Sequence, residues 1–448
     1  MNQSLYINHY AKAGEFVAAS IYVLMGSIES GKAVNLIMLL AAFCLTSSTL
    51  SRVVTIGVVK TTVVSAFICL SPICVNQLLT YYVDGLIASS FVCLFCCFAL
   101  IVVAPNRYNL VLLGLVQLIM GNIKFSSLVY CVLFGGIFLV WLFFFNRRQL
   151  LAVFNTFAVA AIFTVFLVGF NPYVINTTKY GHPLYPVMGA KKADIFTYNY
   201  PKGFEHKGAF DKFFSSLFAH TSNPTLTNGG KVELKIPFTF NRADIVNAPK
   251  VDPRIGGLGP LFSGILLVSF ILLFIYIGKR GLDRNALFVL YWGVCLMLSA
   301  ILLPESWWAR YIPQLWLLPS LILLLYEAQP FKSARLPAIV LYVAMLINIS
   351  FSATNFAWNF LISKVVDYQM DTLAESPKPV IVQWGSAAAN RIRFQERGIT
   401  YSEENLDGKS TENIIRSDSK FLLPETQRPL KEKPIWVVWG EKFVTAEK

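Results

Sequence analysis

Ten stretches of nearly uninterrupted apolar residues decide most of what this chain can become. They run over residues 33–50, 53–71, 85–104, 109–121, 125–145, 150–170, 257–277, 285–303, 311–326 and 336–358. A bilayer core about 30 Å thick takes roughly 20 helical residues to cross. Hydrocarbon offers the backbone no hydrogen-bond partner, so a spanning segment must be a helix or a strand of a closed barrel. Barrel strands alternate in polarity, and these runs do not. The expected fold class is therefore an all-α polytopic membrane protein with about ten transmembrane helices. The fourth run is short, and with the fifth it forms a tilted or re-entrant hairpin across Gly121-Asn122-Ile123-Lys124. Composition points the same way, with 55% hydrophobic and only 14% charged residues, against about 25% charged in a soluble domain.

The formal net charge of +13 does not mark a nucleic-acid binder, because the basic residues are scattered over short loops and polar segments instead of forming a stripe. Their distribution sets orientation instead, since cytoplasmic loops are enriched in Lys and Arg. One set of short loops holds Arg52, Arg107, Arg147, Arg148, Lys279, Arg280, Arg284, Lys332 and Arg335, while the opposite set holds only Lys124 and Arg310. This places both termini, a long loop and the tail outside the cytoplasm. The expected organisation is an extracytoplasmic juxtamembrane segment (1–32), helices 1–6 (33–170), an extracytoplasmic loop (171–256), helices 7–10 (257–360) and a soluble extracytoplasmic tail (361–448). Residues 1–32 lie outside with no secretory signal and no earlier span to carry them there. The simplest expectation is that an upstream helix is missing from this chain.

The long loop is rich in aromatics (Phe196, Tyr198, Tyr200, Phe204, Phe210, Phe213, Phe214, Phe218), which argue for packing, and 208–220 reads as a short amphipathic helix near the interface. In the tail, 379–385 and 435–440 read as strands and 386–397 as helical, a small α/β appendage. All eight cysteines lie in apolar runs and read as small buried residues. Cys93-x-x-Cys96-Cys97 has zinc-like spacing but neither a second ligand pair nor a polar setting.

Polar groups at membrane depth are costly and mark candidate sites. Lys60, near the end of a run, reads as a snorkelling side chain. Lys124, at the outer tip of the hairpin, suits either phosphate binding or plain helix-end placement. Asp84 opens a helix on the outer face, where it either complements the helix dipole or serves as a catalytic or sugar-binding carboxylate. Three outer segments are dense in polar and aromatic groups. Gly169–Pro186 carries Tyr180 and His182; Asp252–Pro260 carries Arg254 and glycines that permit close backbone approach; Pro304–Pro313 carries Arg310 and Tyr311 beside two tryptophans read as interfacial anchors. Arg310 either binds phosphate with its planar fork or pairs with Glu305. All these segments emerge on one face. Together they would line a cavity suited to an anionic, sugar-bearing lipid.

At these residues the sequence resembles the GT-C superfamily of membrane glycosyltransferases, in particular bacterial protein mannosyltransferases and lipid A aminoarabinose transferases. The matching stretches are Asn8-His9-Tyr10-Ala11-Lys12, Gln77 to Asp84, Gly121 to Lys124, Asn171 to Pro186, Asp252 to Pro260 and Arg310 to Pro313, spread over most of residues 1–360. The resemblance implies transfer of a sugar from a polyprenyl-phosphate donor to a glycan, lipid or protein acceptor at the outer face of a bacterial inner membrane. It implies donor phosphate and sugar contacts from Lys124, Tyr180, His182, Arg254, Arg310 and Tyr311, a catalytic carboxylate, and a divalent metal as candidate cofactor; membrane lipid is a partner and nucleic acid is not. The superfamily's leading acid lies on the first outer loop after the first helix, and this chain opens with what looks like the end of that loop. Either the chain is truncated, or Asp84 or another acid has taken the role, or the protein is inactive. The competing readings are an O-antigen-type polymerase or ligase and a lipid-linked glycan transporter. The single Arg310-type site argues against the first, and the clustering of polar groups at the outer boundary instead of mid-membrane argues against the second.

Overall fold

The computed structural model describes residues 3–194, 196–226, 229–386, 389–422 and 433–446. Each of the ten apolar runs contains a helix. Seven stretches are long and apolar enough to cross a membrane: Ile28–Val53, Asp84–Val103, Phe125–Phe145, Arg147–Val168, Phe262–Arg280, Arg284–Ile301 and Lys332–Ala374. Val58–Cys69, Arg107–Gly121 and Pro313–Ala328 are shorter apolar helices, and a fourth, Ala13–Met25, lies in the segment ahead of the predicted runs. The chain is thus a polytopic helical membrane protein with a small C-terminal sheet. Its contacts divide it into two compact units, Met1–Phe16 with Val34–Ala353, and Val17–Ala33 with Thr354–Lys448.

In the first unit Asp84–Val103 is the most enclosed of the spanning stretches, buried on nearly every side. A helix apolar all round belongs where protein surrounds it. Phe98 stacks on Phe138 at 4.1 Å between ring centroids, and Phe95 meets the Trp292 ring edge-on at 4.8 Å. Each such pair contributes about 0.5–1.5 kcal/mol beyond area burial. Lipids offer the outer helices the same apolar contacts as protein, so Phe154, Val159, Ile162 and Phe166 of Arg147–Val168 are left exposed. Cys69, Cys74, Cys93, Cys96, Cys97 and Cys131 are buried and unbridged, while Cys44 is exposed.

After Ile162 the helix widens into turns of larger radius, Phe163–Val168 and Phe170–Val174, with Asn171 out of helical geometry and a cis bond to Pro172. Gly169 permits this break: a β-carbon there would lie 2.4 Å from the Thr164 carbonyl and 2.6 Å from Asn122 Oδ1. The bend delivers Tyr173 to the hairpin tip, where its hydroxyl donates to the Gly121 carbonyl. Ala13 N–H donates to the Asn122 carbonyl at 2.9 Å, so the tip that carries Lys124 is held from two directions.

The long loop folds on itself. Short bridges join Ala219 to Leu234 and Ser222 to Ile255. Phe204, Ala219, Ile255, Trp307 and Trp308 form its core, so the two tryptophans are core residues and not the interfacial anchors that the sequence suggests. The predicted amphipathic helix is Ala209–Leu217, with Phe213 and Leu217 buried, and Ser216 Oγ donating to the Trp307 carbonyl at 2.6 Å. Buried Asp244 ties the loop together, facing His220 Nδ1 at 2.6 Å and Lys235 Nζ at 3.3 Å and accepting from Asn241 N–H at 3.0 Å.

In the second unit strands β1 (Val380–Gln383), β2 (Tyr401–Glu403), β3 (Glu412–Asn413) and β4 (Lys420–Leu422) form a sheet in the order β2-β1-β4-β3, parallel only between β1 and β2. Helix Ala389–Glu396 covers it, with Phe394 packed on Val380, Val382 and Phe421. Of the tail features predicted from sequence, β1 and this helix stand where expected, with 387 and 388 outside the described residues. The second predicted strand, 435–440, is instead part of helix Ile435–Ala446. Its run of β-branched and aromatic residues favours a strand locally. Tertiary packing overrides that preference, because Val437 is buried and a β-carbon at Gly440 would lie 2.3 Å from Val365 Cγ2. Residues 423–432 and 447–448 of the tail fall outside the described set.

Candidate functional site

Four helix or loop ends meet at one place in the first unit. Asp84 begins helix Asp84–Val103, and Lys124 directly precedes Phe125–Phe145. Asp252 and Arg254 lie ahead of Phe262–Arg280, and Arg310 lies ahead of Pro313–Ala328. Spans that alternate in direction bring every second connection to the same side, and these are such connections.

Asp84, 2% exposed, accepts a 2.7 Å bond from Lys124 Nζ, and its other oxygen is 4.0 Å from Arg310 Nη1. Arg310 Nη1 is also 3.3 Å from Asp252 Oδ2, and Asp252 Oδ1 accepts from Trp308 Nε1 at 2.7 Å. The guanidinium carbons of Arg310 and Arg254 lie 4.1 and 4.5 Å from the Trp308 ring centroid. One buried indole thus gathers two cations, each such contact contributing about 0.5–2 kcal/mol. Lys124 Nζ lies 5.1 Å from the Tyr311 ring, and Arg310 Nη2 is 3.4 Å from the Tyr311 hydroxyl.

Burial works against the Arg310 charge, but Tyr311, Asp84 and Asp252 more than offset it, so the guanidinium holds its proton more firmly than usual. Tyr82 borders the group; burial, with Asp252 beside it, pushes its phenol up and keeps it protonated. Three cations (Lys124, Arg254, Arg310) converge here around the carboxylates of Asp84 and Asp252. Arg310 Nε is buried and has no hydrogen-bond partner among the described residues. The Arg310 guanidinium thus keeps one donor outside its own ion pairs.

The backbone that presents Arg310 is fixed by close packing. A β-carbon on Gly257 would lie 2.0 Å from the Pro253 carbonyl and 2.7 Å from Ala309 Cβ. Gly259, at φ +102°, lies against Asn348, which accepts from Leu261 N–H and donates to the Leu258 carbonyl, both at 2.9 Å.

The structure thus brings together five of the residues singled out from sequence, Asp84, Lys124, Arg254, Arg310 and Tyr311. It places Tyr180 and His182 in a second group, where Tyr180 stacks on Tyr185 at 4.2 Å with His9 edge-on to both. His182 Nδ1 accepts from Leu184 N–H at 3.1 Å. The Phe125 ring, next to Lys124 in sequence, lies against Tyr10 at 4.9 Å and Tyr173 at 5.8 Å. Glu305 does not pair with Arg310; it accepts from Tyr200 and Trp307 at 2.8 and 2.7 Å. Lys60 does not simply snorkel: it pairs at 2.8 Å with buried Glu327, at the far end of the helix that follows Arg310.

Three participants are not singled out by the sequence reading. Asp252 and Trp308 lie inside quoted segments, but only folding shows that each holds Arg310. Glu15, exposed on Ala13–Met25, lies within electrostatic reach of Lys124. Among the described residues no group of three or more His, Cys, Asp or Glu is arranged to hold a metal ion. The two carboxylates of the cluster are taken up by Lys124, Arg310 and Trp308, so this donor set does not fit a divalent cation.

No family model matches the chain, and no curated protein matches it. Among solved structures, that of ArnT from Cupriavidus metallidurans bound to undecaprenyl phosphate aligns with 88% of this chain and 79% of its own, at 12% identity and a TM-score of 0.47. A likeness of that size carries no argument about what this chain does.

Proposed function

We propose that the chain is a GT-C-type membrane glycosyltransferase, moving a sugar from a polyprenyl-phosphate donor to a glycan, lipid or protein acceptor at the extracytoplasmic face of a bacterial inner membrane, with both termini on that face. The observation that carries this reading is the convergence of Lys124, Arg254 and Arg310 where several apolar helices end. A lipid carried in the bilayer reaches such a place with its phosphate first.

In the transfer, the acceptor oxygen bonds to the anomeric carbon as the bond from that carbon to the phosphate oxygen breaks. The acceptor proton passes to a carboxylate, and the departing polyprenyl phosphate gains a second negative charge. Lys124, Arg254 and Arg310, already oriented by Asp84, Asp252 and Trp308, stabilise that charge without reorganising. Asp84, buried with both oxygens facing cations, suits positioning of Lys124 and Arg310 better than proton abstraction. Glu15, exposed and near Lys124, is the carboxylate we assign to the acceptor proton. Tyr180 and His182, whose contacts are with His9, Tyr185 and Leu184 and not with the cations, are assigned to sugar or acceptor contacts and not to the phosphate.

The test is thermal unfolding of the purified protein titrated with undecaprenyl phosphate or undecaprenol. The phosphate should protect and the alcohol should not. Lys124→Gln should weaken protection by about 2 kcal/mol, roughly 30-fold in affinity, for the loss of one charge-assisted hydrogen bond. Equal protection by undecaprenol would remove the phosphate role and this function with it.

A further inference from the structure

Within the second unit, three segments far apart in sequence line an open cavity of about 430 Å³. Small-molecule sites occupy roughly 300–1,000 Å³. Lys364, Asp367 and Asp371 follow one another along helix Arg335–Ala374 at steps of three and four residues, so they share a face. Arg397, directly after helix Ala389–Glu396, supplies a second wall, and Trp436, near the start of helix Ile435–Ala446, a third.

The polar half of the cavity is already ordered. Arg397 Nη2 donates to Asp367 Oδ1 at 2.5 Å and Nη1 donates to Asp371 Oδ1, so one planar fork holds both carboxylates. Each carboxylate uses one oxygen on that fork, and the second oxygen of each has no partner among the described residues. Both side chains reach solvent. Among the lining residues Lys364 and Arg397 equal the two carboxylates in number, so the lining selects neither an anion nor a cation.

The apolar half is an indole. Trp436 is 46% exposed, with Phe360 and Trp439 edge-on to it at 6.1 and 5.4 Å between ring centroids. Two aromatic neighbours thus set the plane of the ring and leave part of it open. Its helix is fixed against the long helix by buried Val437 and by Gly440, which lies against Val365 and the Leu361 carbonyl.

A pyranose ring meets both halves at once. Its C–H bonds, weakly positive, lie against the negative face of an indole, and its hydroxyls donate to carboxylate oxygens in charge-assisted bonds. Carboxylates one helical turn apart, with Cβ atoms about 5–6 Å from each other, reach hydroxyls on different carbons of one ring. A charged ligand would instead compete with ion pairs that are already made.

We propose that this cavity binds one uncharged pyranose unit, stacked on Trp436 and hydrogen-bonded to Asp367 and Asp371. The unit is a free sugar or one residue of a longer glycan. The site is independent of the transferase activity proposed for the first unit.

The test is saturation-transfer difference NMR on the full-length protein in nanodiscs, with the methyl glycosides of glucose, galactose, mannose and N-acetylglucosamine as probes. At least one should receive saturation, strongest on its ring C–H protons, and open-chain sorbitol should not. Trp436→Leu should abolish the transfer. Asp371→Asn, an exposed change that leaves Asp367 to hold Arg397, should weaken binding roughly tenfold or more, for the loss of a hydrogen bond to a charged group. Tighter binding of the corresponding disaccharide assigns the site to a glycan, and equal binding assigns it to a free sugar. The proposal is overturned if none of the four is saturated, if methyl glucuronide is saturated as strongly, or if saturation survives both variants. Saturation lost in Arg310→Ala and kept in Asp371→Asn places the sugar at the cation cluster of the first unit, and overturns it as well.

Discussion

Breaking the Asp84–Lys124 pair from one side and then from both tests whether the cluster is a set of mutually dependent charges. Asp84 is 2% exposed and Lys124 13%, with 2.7 Å between Nζ and Oδ1. Removing one partner of a buried pair costs about 3–5 kcal/mol, because the other charge stays buried without compensation. Lys124→Met leaves Asp84 with Arg310 at 4.0 Å, so the expected cost is at the lower end, about 3 kcal/mol. Asp84→Asn leaves Lys124 less enclosed and still over the Tyr311 ring at 5.1 Å; a contact of that kind offsets about 1 kcal/mol, for an expected cost of about 2 kcal/mol. The double variant Asp84→Asn/Lys124→Met removes both charges and should be more stable than the sum of the single changes implies, with a coupling of about 2 kcal/mol. Thermal unfolding in nanodiscs reads the order. A loss of several kcal/mol in a chain of this size lowers the midpoint by a few degrees, since about 1 kcal/mol corresponds to roughly 2–4 °C in chains about half as long. The double variant should melt with Lys124→Met, about 2 kcal/mol short of the summed single losses. If Lys124→Met melts with the wild type, or the double variant melts at the sum of the two single losses, the pair is not coupled and the electrostatic account of the site fails.

Gly257→Ala should cost about 1–3 kcal/mol as an overpacking change, because its β-carbon would collide with the Pro253 carbonyl and Ala309. Its displacement of Arg310 should appear as weaker protection by undecaprenyl phosphate, and unchanged protection would show that the glycine segment does not set the Arg310 position. Asp244 gives a pH-dependent outcome. Burial works against its charge, but the Thr221 amide, His220 and the Asn241 amide, with Lys235 beside it, hold its carboxyl below the ordinary range. A depressed folded-state value means the stabilisation is present above the unfolded value of about 3.9 and is lost as pH falls through the folded value. The difference in melting temperature between wild type and Asp244→Asn should therefore shrink as pH drops below about 4. A difference that stays constant there would show that Asp244 is not stabilised as an anion.

Much of the architecture is legible residue by residue. The run at 125–145 and helix Phe125–Phe145 coincide, and 336–358 lies within Lys332–Ala374, because an apolar run of spanning length has no alternative to helix in hydrocarbon. The nearness of Asp84, Lys124 and Arg310 is partly legible too, since each stands at the same end of an alternating span. Their partners are not. Glu305, five residues from Arg310, is the obvious counter-ion in sequence, yet the pair forms with Asp252, delivered by a separate segment whose glycines let it close on Ala309. Trp307 and Trp308 look like interfacial anchors until the long loop folds over them.

The sequence by itself determined that this chain crosses a membrane as helices and which connections share a side, because solvation by hydrocarbon acts on each segment separately and Lys and Arg are counted loop by loop. Tertiary structure alone decided which charge faces which, that Trp308 gathers two arginines, that Tyr180 stacks on Tyr185 beside His9, and that 435–440 is helical. Those outcomes depend on contacts between segments far apart in the chain, where a shift of one ångström exchanges one partner for another, and no local preference encodes such a choice.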